Sequence, residues 1–123
     1  MCESALSVRA TSVPLIILIW CGRGLASSVL MDDRIADVDV LVWPTTPMIA
    51  PTIQEVATAD EFARKNAMLL RNTVIVNFFD LCAISLPVPR GSGLPTGLML
   101  VARNGQDQRL FRIAAAVERL FAA

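Results

Sequence analysis

The sequence predicts an α/β domain, and three observations carry that prediction. Apolar runs of strand length are closed by proline or introduced by glycine, as in Val38–Trp43, Leu81–Pro87 and Gly97–Ala102. A Thr-x-x-Glu capping box at Thr58 and Glu61 opens a helix in the middle of the chain. The C-terminal residues repeat their apolar positions at intervals of three and four.

Taken in order, residues 1 to 30 differ from the remainder of the chain. An apolar run from Val13 to Cys21 is interrupted by Gly22-Arg23-Gly24 and is too short to span a bilayer, which takes about 20 apolar residues. Three readings stand open. An export signal would use Arg9, the apolar Leu15 to Trp20, and small residues Ala26-Ser27-Ser28 near a cut. A lipoprotein cut before Cys21 is opposed by the bulk of Trp20. The other two readings are a buried strand and the product of a misread frame.

From Met31 the texture changes. Polar, acidic residues lead into Val38–Trp43, a β-branched run that Pro44 ends because proline cannot donate to a ladder. Pro44, Pro47 and Pro51 keep Thr45 to Thr52 extended, since each residue before a proline is pushed out of the helical region. The capping box then starts a helix over about Asp60 to Arg71. On it Phe62, Leu69 and Leu70 share an apolar face, with Arg64, Lys65 and Arg71 toward solvent.

Val74, Ile75 and Val76 are stiff at χ1 and by propensity favour strand. Leu81–Pro87 is a second strand. Gly91-Ser92-Gly93 supplies the positive-φ freedom of a turn, and Gly97–Ala102 is a third strand. About nine residues separate the last two runs, too few for a crossover helix, so they are read as antiparallel neighbours. Asn104 to Asp107 is read as the cap of the last helix. Its apolar side is Leu110, Ile113, Ala114, Val117, Leu120 and Phe121, opposite Gln108, Arg109, Arg112, Glu118 and Arg119.

Composition bounds function by exclusion. The 123 residues are 54% hydrophobic, enough for a core and high for a free-standing domain, which hints at contact with a further segment. Eleven basic and eleven acidic residues cancel and form no stripe, which argues against a nucleic-acid surface. With no histidine, Ser-His-Asp and Cys-His chemistry are absent, and neither a metal site nor a cofactor is expected. Cys2, Cys21 and Cys82 fit neither a disulfide framework nor a zinc site and are read as reduced structural thiols. The glycines of Gly91-Ser92-Gly93 do not lead into a helix start, which disfavours a phosphate cradle. The last helix offsets its basic residues with Asp107 and Glu118, so a membrane surface is disfavoured too.

Three blocks in order, DVDVLVWPTTP (Asp37–Pro47), RNT with VNFFDLCAISLP (Arg71–Thr73 and Val76–Pro87), and GLPTGLMLVA (Gly93–Ala102), resemble the C-terminal part of the amidase signature family. The family includes bacterial amidases and the A subunit of the glutamyl-tRNA amidotransferase. The resemblance covers residues 31 to 123 and leaves residues 1 to 30 unmatched. It implies a C-terminal fragment of the amidase signature fold, a mixed β-sheet covered by helices, and a short helical turn at Val74 to Val76, which leaves the strand preference of those three residues open.

It also implies hydrolysis of a carboxylic-acid amide C–N bond. In the family a serine attacks the amide carbon, a second serine beside a cis peptide relays the proton, and a lysine is the base. The Gly-Gly-Ser-Ser-Gly-Gly type segment and upstream lysine that carry this chemistry are absent from the present sequence, so no catalytic residue is assigned. Lys65 has no glycine-rich serine partner, and Ser85, alternating within an apolar strand, reads as a satisfied structural hydroxyl. Thr46, Thr73 and Asn77 are the candidate substrate-pocket residues, with turn capping as the competing reading.

The expectation is therefore a chain inactive by itself, cytoplasmic, whose amide substrate belongs to the full-length enzyme. Neither nucleic acid nor membrane is expected as a partner. Two further readings stand beside it: a non-catalytic module docking onto a partner chain or second copy that completes the sheet, and an exported or tethered protein resting on residues 13 to 28 alone.

Overall fold

A computed structural model describes residues 24–89 and 93–122, with side chains from residue 28 onward. The expected features in residues 1 to 23, and the Gly91-Ser92 part of the turn, lie outside the described residues. Helix α1 spans Gly24–Arg34, across the junction at residue 30 where the sequence changes texture, and the sequence reading did not anticipate it. Strand β1 is Leu41–Pro44, shorter at its start than expected. A single 3-10 turn at Gln54–Val56 precedes α2, Ala59–Phe78. Strands β2 (Cys82–Val88) and β3 (Thr96–Ala102) and helix α3 (Asp107–Phe121) complete the order.

The three strands form one antiparallel sheet in the order β1-β3-β2. β2 and β3 are the antiparallel neighbours expected from their short connection, with Ile84 opposite Leu100. β1 joins the other edge of β3, with Leu41 opposite Val101. The central position of β3 explains why its alternation is weak: Met99, Leu100, Val101 and Ala102 are all buried, because both of its faces are covered.

One face holds the larger core. Leu98, Leu100 and Ala102 lie beside Cys82, Ile84 and Leu86, and α3 closes over them with Leu110, Ile113, Ala114, Val117 and Phe121. Removing a side chain such as Leu100 from water stabilises by roughly 1.5–3 kcal/mol. The apolar face expected of α3 is thus the packed one, except that Leu120, near the helix end, remains 75% exposed. α3 starts within the stretch expected to cap it, though without a side-chain cap. Its N-cap is Gln106, without a side-chain capping bond, while the Asn104 amide donates to the Asp80 carboxylate at 2.6 Å. That bond holds the turn at Asp80, whose φ of 54° is left-handed, to the turn before α3.

The opposite face is covered more thinly. Met99 and Val101 meet Val76 of α2, with Leu41, Trp43 and Leu81 around them. α2 begins where the capping box placed it, Thr58 accepting from the Glu61 amide, but it continues seven residues past Arg71. Helix, not strand, is the state of Val74–Val76, because Asn72 and Val76, four apart, seat this turn on the sheet. Of the face expected to be apolar and covered, Leu69 is half-buried and the other two residues are exposed. Phe62 is 57% and Leu70 47% exposed, and of the 20 residues of α2 only Asn72 and Val76 are buried.

Lys65 also departs from its solvent-side expectation, because the 3-10 turn lies against this part of α2. Its side chain is only 19% exposed and pairs with Glu55 at 3.6 Å. Glu55 in turn closes a second Thr-x-x-Glu box, accepting from the Thr52 amide at 2.8 Å.

Candidate functional site

The polar groups of the sheet gather where β1 ends on the thinly covered face. Pro44 closes β1, and the Asn72 side chain donates to the Pro44 carbonyl at 2.7 Å. Asn72 is buried, so this bond satisfies an amide that would otherwise be costly to desolvate, and it fixes that turn of α2 on the strand. Next along, the Thr45 amide donates to the Gly97 carbonyl at 2.8 Å, extending the ladder by one bond.

The Thr45 and Ser85 hydroxyls then meet across the sheet at 2.5 Å, over Gly97 of the strand between them. A β-carbon built on Gly97 would lie 2.5 Å from Ser85 Oγ and 2.6 Å from Thr45 Oγ1, so the hydroxyl pair exists because position 97 has no side chain. Ser85 is the satisfied hydroxyl its alternation implied.

Of the three candidate pocket residues, Thr46 and Thr73 each follow a member of this cluster in the chain, whereas Asn77 falls on the side of α2 away from Asn72. Thr46 follows Thr45 and donates to the Met48 carbonyl at 2.9 Å. Thr73 follows Asn72 and donates back to the Leu70 carbonyl at 3.0 Å. The Asn72–Pro44 bond thus brings to one end of the sheet the stretches of chain that carry Thr46 and Thr73. Asn77 lies one turn beyond Thr73 on α2 and is exposed. The sequence reading missed Asn72, Thr45 and Gly97. Two of them had a signal: a glycine inside a strand marks close approach, and a polar residue four before Val76 marks a helix face that needs a partner.

Chemically the cluster can hold and orient, but it has no base for its hydroxyls. Lys65 is engaged by Glu55. Glu55, about half exposed, is held below the usual carboxylate range first by the Thr52 amide, then by the Thr52 hydroxyl and the Lys65 charge. Burial pushes the Cys82 thiol up, and the Asp107 carboxylate adds to this, so Cys82 stays neutral and donates to the Arg103 carbonyl at 2.9 Å. An open hollow at the start of α3, lined by Gly105 to Arg109 and Arg112, contains none of the candidate residues. Among the described residues no cluster of three or more metal-ligating side chains is present.

Comparison with known proteins assigns this fold. The Amidase family profile matches residues 27–111. A 2-amino-5-chloromuconic acid deaminase of Comamonas testosteroni is 37% identical over 105 residues, which is 85% of this chain and 21% of the relative. A fatty acid amide hydrolase of Medicago truncatula is 41% identical over 86 residues, 68% of this chain and 14% of the relative. The A subunit of a glutamyl-tRNA(Gln) amidotransferase of Lacticaseibacillus casei is 34% identical over 87 residues, 71% and 17%. No solved structure matches. The chain spans about a fifth or less of the length of these relatives, and its helices and antiparallel sheet are a fragment of the amidase signature fold. The chain belongs to the amidase family, as a partial member of it.

Proposed function

We propose that this chain supplies one wall of the active site of an amide hydrolase, and that it turns over no amide by itself. The carrying observation is that an amidase-family chain covering 21% of a relative's length has neither the glycine- and serine-rich nucleophile segment nor a lysine free to act as base. In this reading the reaction is the family's acyl transfer on a carboxylic-acid amide C–N bond, and all three reacting groups come from the rest of the domain.

Thr46, Thr73 and Asn77 face the substrate, while Asn72, Thr45, Ser85 and Gly97 hold the end of β1 in place beneath them. The substrate is a small-molecule amide and the setting the cytoplasm. Among the described residues no helix is long and apolar enough to cross a membrane.

The test is a chimera in which this chain replaces the matching region of the Comamonas enzyme. Turnover by the chimera and none by the free chain is expected. Thr73→Val and Asn77→Ala should each lower kcat/KM by about tenfold, ~1.4 kcal/mol of transition-state stabilisation, without changing the melting temperature. Turnover by the free chain that disappears on Ser85→Ala or Lys65→Ala would overturn the proposal, as would a folded chimera without activity.

A further inference from the structure

The outward side of α2 carries a surface that nothing in the described residues uses. At roughly 100° per residue, Ala63, Ala67, Leu70 and Val74 fall within an arc of roughly 60°, on the side of the helix away from Asn72 and Val76. All four are exposed, Leu70 at 47% and Val74 at 53%. The spacing of four, three and four is that of a helix-packing seam, and the two alanines let another backbone approach closely. Arg64 and Arg71 lie one turn-step to the side of this stripe, both exposed and neither in an ion pair among the described residues. A helix with apolar residues on two opposite sides belongs inside a larger body.

We infer that this stripe is the docking seam for one helix of the remaining amidase domain, an amphipathic helix with carboxylates along the edge that meets Arg64 and Arg71. Two observations select that occupant. The relatives are about five to seven times as long as the stretch this chain shares with them, so their domain contains the chain length to cover the seam. Arg64 and Arg71, with the exposed Asp60 on the same edge, leave a net positive border that fits a partner of opposite charge, and a second copy, which could set Asp60 against the other chain's arginines, is an outcome the test separates. The inference rests on the amidase reading for the identity of the partner, but its test is association and not turnover.

The experiment co-expresses the full chain, tagged, with the Comamonas relative shortened by the region the chain matches, and measures co-elution. Co-elution at equal stoichiometry is expected. The pair L70D/V74D should lower it by at least tenfold, and R64E/R71E severalfold with a weaker dependence on salt. Ala115→Asp on the outer side of α3 should leave it unchanged. As a second measurement, L70D/V74D should lower the melting temperature of the chimera by many degrees and leave that of the free chain nearly unchanged.

Co-elution indifferent to L70D/V74D would overturn the inference. So would equal thermal shifts in chimera and free chain, or a dimer of the free chain that the same variant dissolves. Co-elution without any turnover in the chimera would sink the hydrolase reading and leave the docking seam standing.

Discussion

The two helices that cover the sheet are opposites. α3 has 15 residues and turns its apolar positions onto the sheet: Leu110 and Ala114 are each 3% exposed, and Ile113, Val117 and Phe121 pack beside them. α2 has 20 residues, buries two of them, and leaves Phe62, Leu70 and Val74 outside. Both are well-formed helices, so the difference lies not in propensity but in what each is built to touch. α3 finishes its side of the sheet with residues of this chain, whereas α2 is seated by one hydrogen bond and one valine, with apolar surface left over.

That contrast makes unequal effects expected on the two sides. Leu110→Ala, in the finished core, should cost about 2–5 kcal/mol in urea unfolding, whereas Leu70→Ala on the outer side of α2 should stay within about 0.5 kcal/mol. Comparable losses at the two positions would break the comparison. Asn72→Leu should cost about 1–3 kcal/mol, because it removes the donor to the Pro44 carbonyl at the point where α2 is held.

Gly97→Ala should cost about 1–3 kcal/mol through overpacking against the Thr45 and Ser85 hydroxyls, and less in a Thr45→Ala/Ser85→Ala background. An equal cost in both backgrounds would show that the hydroxyl pair is not what position 97 accommodates. Thr58→Ala should cost about 1 kcal/mol, seen as fraying of α2 by circular dichroism.

The smallest effect is in pH. Glu55 has its folded pKa depressed, so its contribution is present above the unfolded value and is lost as pH falls through the folded one. Glu55→Gln should therefore cost a little stability at neutral pH, where the contribution is present, and nothing below the folded pKa, which flattens the acid-side loss. A cost that persists undiminished in acid would contradict the assignment.

The parts of the fold legible in the sequence were those whose determinants are local. Thr58 and Glu61 announce the start of α2 because a capping box is complete within four residues. β2 and the packed side of α3 follow from periodicity, since each is judged by a single covered face, and β3 from a short apolar run opened by glycine. The end of α2 was not legible: Val74–Val76 look like strand until Asn72 and Val76 are seen to be held by β1 and β3, a tertiary override of propensity.

The orientation of α2 was misread for a related reason. Its apolar residues mark more than one side, and periodicity alone cannot say which side this chain covers. Within the candidate site, Thr46, Thr73 and Asn77 were chosen as polar residues beside strands. The cluster that holds their segments, Asn72, Thr45, Ser85 and Gly97, joins positions up to 52 residues apart and shows itself only in three dimensions.

The most direct measurement is amide hydrogen exchange, residue by residue, on the free chain and on the chimera with the relative. In the free chain, β3 and α3 should exchange slowly and residues 60–70 of α2 quickly, because few buried contacts hold that half of the helix. In the chimera the same residues should slow to the level of α3. Equal protection of α2 and α3 in the free chain, or no gain for α2 in the chimera, would contradict the claim that one side of this sheet is finished and the other awaits the rest of its domain.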